Sequence, residues 1–123
     1  MTTTVQRLTA ITTLALLALA PAVNAGAAGQ KKPKPVTVGI FDNYYEPAKL
    51  KVAKGTTIVW KWPAVTGDSH DVTLKSGPKG VRKFQSPVAA AQFKYKRTLD
   101  KPGKYHILCT LHEEMTMDIV VRR

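Results

Sequence analysis

Residues 102–117 read PGKYHILCTLHEEMTM, and this stretch has the clearest strand pattern of the chain. Tyr105, Ile107 and Cys109 occupy alternate positions, so an extended backbone places their side chains on one face. Pro102-Gly103, directly before them, is a turn signal. A period of two rather than 3.6 predicts a β-strand that begins at this turn and ends near the cysteine.

The same alternation continues in both directions along the chain. Apolar residues recur at every second position in residues 36–40, 50–52, 58–60, 72–74, 93–95 and 117–121. β-branched and aromatic residues are enriched there, which favours strands. Seven or eight short strands, separated by turns rich in glycine and proline, predict an antiparallel, all-β, Greek-key two-sheet β-sandwich. Residues 76–91 are less regular, and 87–91 could hold a short helical turn.

The first 25 residues do not share this pattern. Residues 11–20 form an almost unbroken apolar run, and Val23-Asn24-Ala25 offers the small residues that a signal peptidase recognises. The run is shorter than the roughly 20 residues of a transmembrane helix. We therefore predict a signal peptide at 1–25, with an uncleaved anchor or a buried helix as alternatives, a flexible basic tail at 26–35 and a folded domain at 36–123. The processed protein would be an exported monomer of the periplasm or the extracellular envelope, and not transmembrane.

The charge balance is strongly basic. Nineteen Lys and Arg against 8 Asp and Glu give a formal net charge of +11. Such a charge favours contact with an anionic surface, while export argues against a nucleic-acid partner. The 123 residues allow one packed domain and exclude a large multidomain enzyme. The single cysteine excludes an intrachain disulfide framework and an iron–sulfur cluster.

A group of potential metal ligands follows the predicted strand. Cys109, His112 and Met115 are spaced at intervals of three, and His70 precedes an earlier strand. Two imidazoles, a thiolate and a weakly bound thioether form the ligand set of a blue-copper electron-transfer site. The soft sulfur ligands favour Cu(I), and the imidazoles serve both oxidation states. Met117 is a second candidate for the thioether.

Each of these residues also has a structural explanation. His70 could be a surface histidine among polar neighbours, the methionines could fill the core, and Cys109 could be a buried, inert thiol. Zinc also accepts cysteine and histidine ligands. The complete spacing together with an upstream histidine favours a metal site over these separate explanations. His106 is excluded as a ligand, because its odd separation from Cys109 places it on the opposite face of the strand.

Residues 36–123 resemble the cupredoxins, the plastocyanin/azurin group of blue copper proteins, with a short ligand loop similar to that of amicyanin. The matching pieces are Tyr45-Glu46-Pro47, residues 54–60 (KGTTIVW), His70-Asp71-Val72, Pro102-Gly103-Lys104-Tyr105 and residues 109–115 (CTLHEEM). The resemblance implies one copper ion that alternates between Cu(I) and Cu(II), held by His70, Cys109, His112 and Met115. Met117 would match the longer loop of plastocyanin.

Three features depart from the family pattern. Asp71 stands where asparagine is common, and an ionised aspartate accepts hydrogen bonds but donates none. Glu113-Glu114 replace a proline and its neighbour, and Trp62-Pro63 opens a bulky loop where an Asn-containing turn is usual. Four of the eight acids flank the inferred ligands, namely Asp68, Asp71, Glu113 and Glu114. The sequence thus predicts an acidic copper end that orients a basic protein on its partner.

We therefore expect an exported type 1 (blue) copper protein that acts as a one-electron carrier. Electrons would pass near His112 to and from a redox partner protein. The alternatives are a copper-binding or copper-handling module without electron transfer, and a basic surface-binding domain on the same fold. We do not expect an enzyme, since no nucleophile–base pair stands out in the sequence.

Overall fold

The computed structural model describes residues 29–123, so the predicted signal peptide lies outside the described residues. This part of the chain has no helix and eight strands: β1 (Val36–Phe41), β2 (Tyr44–Glu46), β3 (Lys49–Ala53), β4 (Thr56–Lys61), β5 (Thr73–Ser76), β6 (Lys94–Leu99), β7 (Gly103–Cys109) and β8 (His112–Arg122). Within these residues no helix is long and apolar enough to cross a membrane.

The strands form two four-stranded sheets, in the orders β2-β1-β4-β6 and β3-β8-β7-β5. This confirms the all-β, two-sheet sandwich. Two neighbouring pairs, β1–β4 and β3–β8, are parallel, so the expectation of a purely antiparallel arrangement is wrong. Parallel neighbours need a long crossover connection, and the chain supplies one by passing from β2 to β3 in the other sheet before returning with β4.

The inner faces of both sheets are filled by the residues that the period of two predicts. Ile58 and Trp60 of β4 are fully buried, as are Ile107 of β7 and Ile119 of β8. Because side chains alternate strictly, a slip of one residue would move every one of these groups to the solvent face. The hydrophobic pattern therefore determines the register of the strands as well as their position.

The strand directions define two ends of the sandwich. β8 runs from His112 to Arg122, and Ala53 of the parallel β3 pairs with Arg122. Cys109, the last residue of the antiparallel β7, lies beside His112. We call the two ends the His112 end and the Arg122 end.

Residues 87–91 do not form the short helical turn that their composition allowed. Ala89 instead makes an isolated antiparallel bridge with His70, and Gln85 makes another with Thr73. The backbone groups that a helical turn would use are thus taken by the neighbouring segment. The irregular stretch between β5 and β6 serves as a support for His70.

Candidate metal centre

Cys109 and His112 are brought together by the tight connection between the last two strands. They pair with each other across β7 and β8, and only Thr110-Leu111 lie between them. A register shift beside Leu108 interrupts the regular ladder just before this turn. As a result, the Sγ of Cys109 lies 3.6 Å from the Nδ1 of His112.

His70 reaches the same place from the segment before β5. Its backbone N–H donates to the Ala89 carbonyl at 2.9 Å, and its carbonyl accepts from the Ala89 N–H at 3.0 Å. The imidazole is fully buried. Its Nδ1 lies 3.2 Å from the Nδ1 of His112 and 4.0 Å from the Sγ of Cys109. A bridge outside the regular strands therefore positions the third group.

The three side-chain atoms form a triangle that fits one metal ion. The three atoms are 3.2, 3.6 and 4.0 Å apart. In their plane, the point equidistant from all three lies about 2.1 Å from each, close to the roughly 2.0–2.1 Å of zinc–imidazole bonds and the roughly 2.3 Å of zinc–thiolate bonds. Among the histidine, cysteine, aspartate and glutamate side chains of residues 29–123, one group of three is close enough to share an ion, namely His70, Cys109 and His112. Two imidazoles and one thiolate are the donor set of a blue-copper site.

Two buried methionines of β8 differ in their surroundings. The Sδ of Met117 accepts a hydrogen bond from the indole N–H of Trp60 at 3.3 Å. Met115 is buried as well, lies three residues after His112, and receives no such bond from the part of the chain that the structure describes. The sulfur of Met117 is therefore engaged in the core, which favours Met115 as the thioether ligand.

Asp71 ties the His70 segment to the cysteine loop. Its buried carboxylate accepts hydrogen bonds from the Thr110 backbone N–H at 2.7 Å, from the Thr110 hydroxyl at 2.6 Å and from the Gln85 amide at 3.0 Å. Tyr45 donates its hydroxyl to the Asp71 carbonyl at 2.7 Å, and burial raises the pKa of Tyr45, so this donor keeps its proton. The Asp71 carboxylate thus links the two segments by accepting hydrogen bonds only.

Asp42 is a neighbour of the site that the sequence analysis missed. It lies in the turn between β1 and β2, and its Oδ1 is 3.1 Å from the Nε2 of His70. The hydrogen bond with His70 lowers the pKa of Asp42, and the backbone N–H groups of Asp68 and Gly67 add to this effect. A short polar turn between two strands gives no sign in the sequence of which distant side chain it will meet.

The His112 end is acidic. Asp42 joins Asp68, Asp71, Glu113 and Glu114 there, so five of the eight acids of the chain lie at this end. The Oδ2 of Asp68 lies 3.7 Å from the Nε2 of His112.

His106 takes no part in the site. Its Nδ1 is 2.8 Å from the Oδ1 of Asp118 on the outer face of the β7–β8 pair. This confirms that its position in the strand pattern keeps it away from Cys109.

Comparison with known proteins agrees with this geometry. The sequence model of the copper-binding proteins of the plastocyanin/azurin family matches residues 35–122. A halocyanin from Natronomonas pharaonis is 32% identical over 74 residues, which cover 59% of this chain. The match spans only 44% of the halocyanin.

Solved structures give the same result. A reduced, Cu(I) form of an amicyanin variant is 28% identical and superposes with a TM-score of 0.62 over 71% of this chain and 81% of that one. A copper-containing nitrite reductase from Thermus scotoductus is 30% identical, with a TM-score of 0.63 over 72% of this chain but only 22% of the enzyme. The chain therefore belongs to the plastocyanin/azurin family of copper-binding proteins, with one copper ion as its cofactor.

Proposed function

We propose that His70, Cys109, His112 and Met115 hold the copper ion and that the protein is a one-electron carrier. The observation that carries this proposal is the triangle of the Cys109 Sγ and the two Nδ1 atoms, with sides between 3.2 and 4.0 Å. When bound, copper supplies the Cu(II)/Cu(I) couple. The thiolate and thioether suit Cu(I), and the two imidazoles suit both oxidation states.

The hydrogen bonds around the site hold its side chains in place. Ala89 fixes the backbone of His70, and Asp71 holds Thr110 next to Cys109. Such outer partners orient metal ligands and keep their geometry when the charge of the metal changes. Small rearrangement between the two oxidation states favours fast electron exchange.

The exposed edge of His112 is the proposed place of electron transfer. Its side chain is 25% exposed, whereas His70, Cys109 and Met115 are buried. A partner can therefore approach the site most closely through this imidazole. Leu111, next to it, is an exposed apolar side chain. Asp68 lies 3.7 Å from the His112 imidazole, and the exposed Glu113 and Glu114 follow His112 directly in β8. An apolar contact with a charged rim suits a partner protein whose docking surface is locally basic.

The leader pattern at 1–25 supports export to the periplasm or the extracellular side of the envelope, where a carrier would meet its partner. We further propose a monomeric carrier rather than an enzyme. The nitrite reductase match covers about a fifth of that enzyme, so its activity does not transfer to this chain. A copper-handling role without electron transfer remains the alternative on the same site.

The visible spectrum after addition of Cu(II) tests the proposal. The mature protein should develop intense absorption from a Cu(II)–thiolate bond, and reduction should remove it reversibly. Cys109→Ser should abolish this band, because a hydroxyl is a hard and poorly ionised ligand at neutral pH. A colourless wild-type protein would contradict the proposal, and slow, irreversible reduction of a coloured one would favour copper handling.

Electron exchange with small charged reagents tests the docking surface. Replacement of Glu113 and Glu114 by Gln should slow exchange with a cationic reagent and accelerate exchange with an anionic one, with both effects fading at high salt. Asp100→Asn with Asp118→Asn is the matched control, because it removes two negative charges elsewhere on the surface. Equal stopped-flow rates for the glutamate and control variants would refute the acidic docking surface.

The Arg122 end offers a separate contact with an anionic surface. Lys31, Lys32, Lys54 and Arg123 line an open cleft of about 750 Å³ there, with Asp100 as the one acid of its lining. We propose that this basic end lies against anionic lipid while the His112 end faces away from it. The carrier would then remain available to its redox partner while bound to the envelope.

Vesicle binding tests this orientation. The double variant Lys32→Gln and Lys54→Gln should bind phosphatidylglycerol vesicles about 30-fold more weakly, at about 1 kcal/mol per basic residue near an anionic surface. Lys94→Gln with Lys96→Gln, on the outer face of β6, removes the same charge elsewhere and should have a smaller effect. Equal losses in the two variants would mean that net charge alone drives adhesion, and binding to neutral vesicles would exclude the electrostatic contact.

A further inference from the structure

Asp42 occupies a position where one carboxylate contacts several groups of the site. It follows β1 directly, in the two-residue turn before β2, where Asn43 has a left-handed backbone with φ of 67°. Its oxygens accept the backbone N–H of Gly67 at 2.8 and 3.0 Å and that of Asp68 at 3.1 Å. Its Oδ1 also lies 3.1 Å from the Nε2 of His70. The turn therefore connects β1 to the loop that precedes His70.

These contacts determine which nitrogen of His70 bears the proton. A carboxylate that already accepts two backbone N–H groups is an acceptor, so the Nε2 facing it must be the donor. In the neutral imidazole the lone pair is then on Nδ1. This is the atom that lies 3.2 Å from the Nδ1 of His112 and 4.0 Å from the Sγ of Cys109. The tautomer selected by Asp42 is thus the one that can bind a metal within the triangle.

Asp42 is also the one hydrogen-bond partner of this Nε2 within residues 29–123. The imidazole of His70 is fully buried, while the side chain of Asp42 is 47% exposed. Removal of the carboxylate would leave a buried N–H without a partner, or allow the ring to turn or change tautomer. Either response would change the direction in which Nδ1 points.

Gly67 allows the carboxylate to approach this closely. A Cβ atom at residue 67 would lie 2.5 Å from the Oδ2 of Asp42 and 3.3 Å from its Cγ. Any larger side chain would therefore push the carboxylate away, even though the charge of Asp42 would be unchanged. This makes Gly67 an independent means of disturbing the same contact.

We propose that Asp42 is the positioning residue of His70. It sets the tautomer that leaves Nδ1 free, and it holds the loop whose Asp68 faces the Nε2 of His112 at 3.7 Å. The proposal rests on the ligand set proposed above. It predicts that the site is arranged for copper before the ion arrives, because all the contacts of Asp42 are made by protein groups.

Nitrogen NMR of the copper-free wild-type protein is the first test. The imidazole of His70 should carry its proton on Nε2, and a proton on Nδ1 would overturn the proposal. This measurement needs no variant and no copper. A wild-type protein without a Cu(II)–thiolate band would contradict the proposed function, while the tautomer of His70 would still decide the role of Asp42.

Copper affinity, measured by competition with a chelator, is the second test. Loss of an outer hydrogen-bond partner of a ligand typically weakens metal binding 10–100-fold, and we expect this range for Asp42→Ala. Gly67→Ala should weaken binding in the same direction with all charges retained, so it remains decisive if Asp42→Ala does not fold. Asp118→Asn, which removes a carboxylate bonded to His106 instead, should leave the affinity unchanged. Wild-type affinity in a folded Asp42→Ala or Gly67→Ala protein would overturn the proposal.

Discussion

Replacement of Asp71 by asparagine should raise the reduction potential of the copper site. The carboxylate is buried and bonded to Thr110, the residue after Cys109, so its negative charge acts mainly through protein. If this unit charge acts over a distance taken as roughly 7 Å, at an effective dielectric constant of about 20, Coulomb's law gives about 2.4 kcal/mol in favour of Cu(II). With about 1.4 kcal/mol equal to about 59 mV for a one-electron couple, the expected rise is on the order of 100 mV.

The hydrogen bonds of Asp71 can largely survive this substitution. The asparagine oxygen can accept the Thr110 N–H, its amide can donate to the Thr110 hydroxyl, and the Gln85 amide can rotate to present its oxygen. The shape of the side chain is unchanged. The change in potential should therefore come with only a small change in melting temperature and an intact thiolate band.

Protein-film voltammetry and thermal melting of the copper-loaded protein measure the two quantities. Asp118→Asn is the matched control, because it is the same substitution on the outer face of β8, and its potential should stay close to that of the wild type. The rise in Asp71→Asn should persist at high salt, since a buried charge is screened little. A rise below about 20 mV, a small fraction of the Coulomb estimate at this dielectric constant, would refute the reasoning.

Three further predictions concern other parts of the chain. Met115→Leu should keep a coloured site with a raised reduction potential. Met117→Leu should mainly lower the melting temperature, because it removes the hydrogen-bond acceptor of Trp60. If Met117→Leu raises the potential and Met115→Leu does not, Met117 is the axial ligand. Deletion of residues 26–35 should leave the visible spectrum and the fold unchanged and should weaken binding to anionic vesicles. The difference in vesicle binding between the wild-type and truncated proteins should shrink as salt reduces the screening length below about 10 Å. A large fall in melting temperature would mean that these residues belong to the folded domain. The hydrogen bond with His106 lowers the pKa of Asp118 from its ordinary 3.8. The ionised Asp118 carboxylate therefore stabilises the folded protein above that value, and this contribution is lost as the pH falls through the folded-state pKa. Denaturant titrations between neutral and strongly acidic pH should therefore show a shallower loss of stability on the acid side for Asp118→Asn, and parallel curves would exclude this contribution.

Local sequence could predict the strands and the cysteine loop because both depend on short-range geometry. Side chains alternate with a period of two wherever the backbone is extended, so Tyr105, Ile107 and Cys109 share a face whatever surrounds them. The same rule separates His106 from Cys109. A three-residue interval across a tight turn likewise brings His112 back beside Cys109 without information from elsewhere in the chain.

The remaining features depend on contacts between residues far apart in the sequence. The Sγ of Cys109 meets the Nδ1 of His70 across 39 positions, and Asp42 meets His70 across 28. The parallel pairing of β1 with β4, and the bond from Trp60 to Met117, also arise only when the two sheets pack. Periodicity gives the face on which a side chain lies, but it contains no information about which other segment packs against that face. The choice of neighbours, and with it the outer partners of the imidazoles, is made by the packing of the whole sandwich.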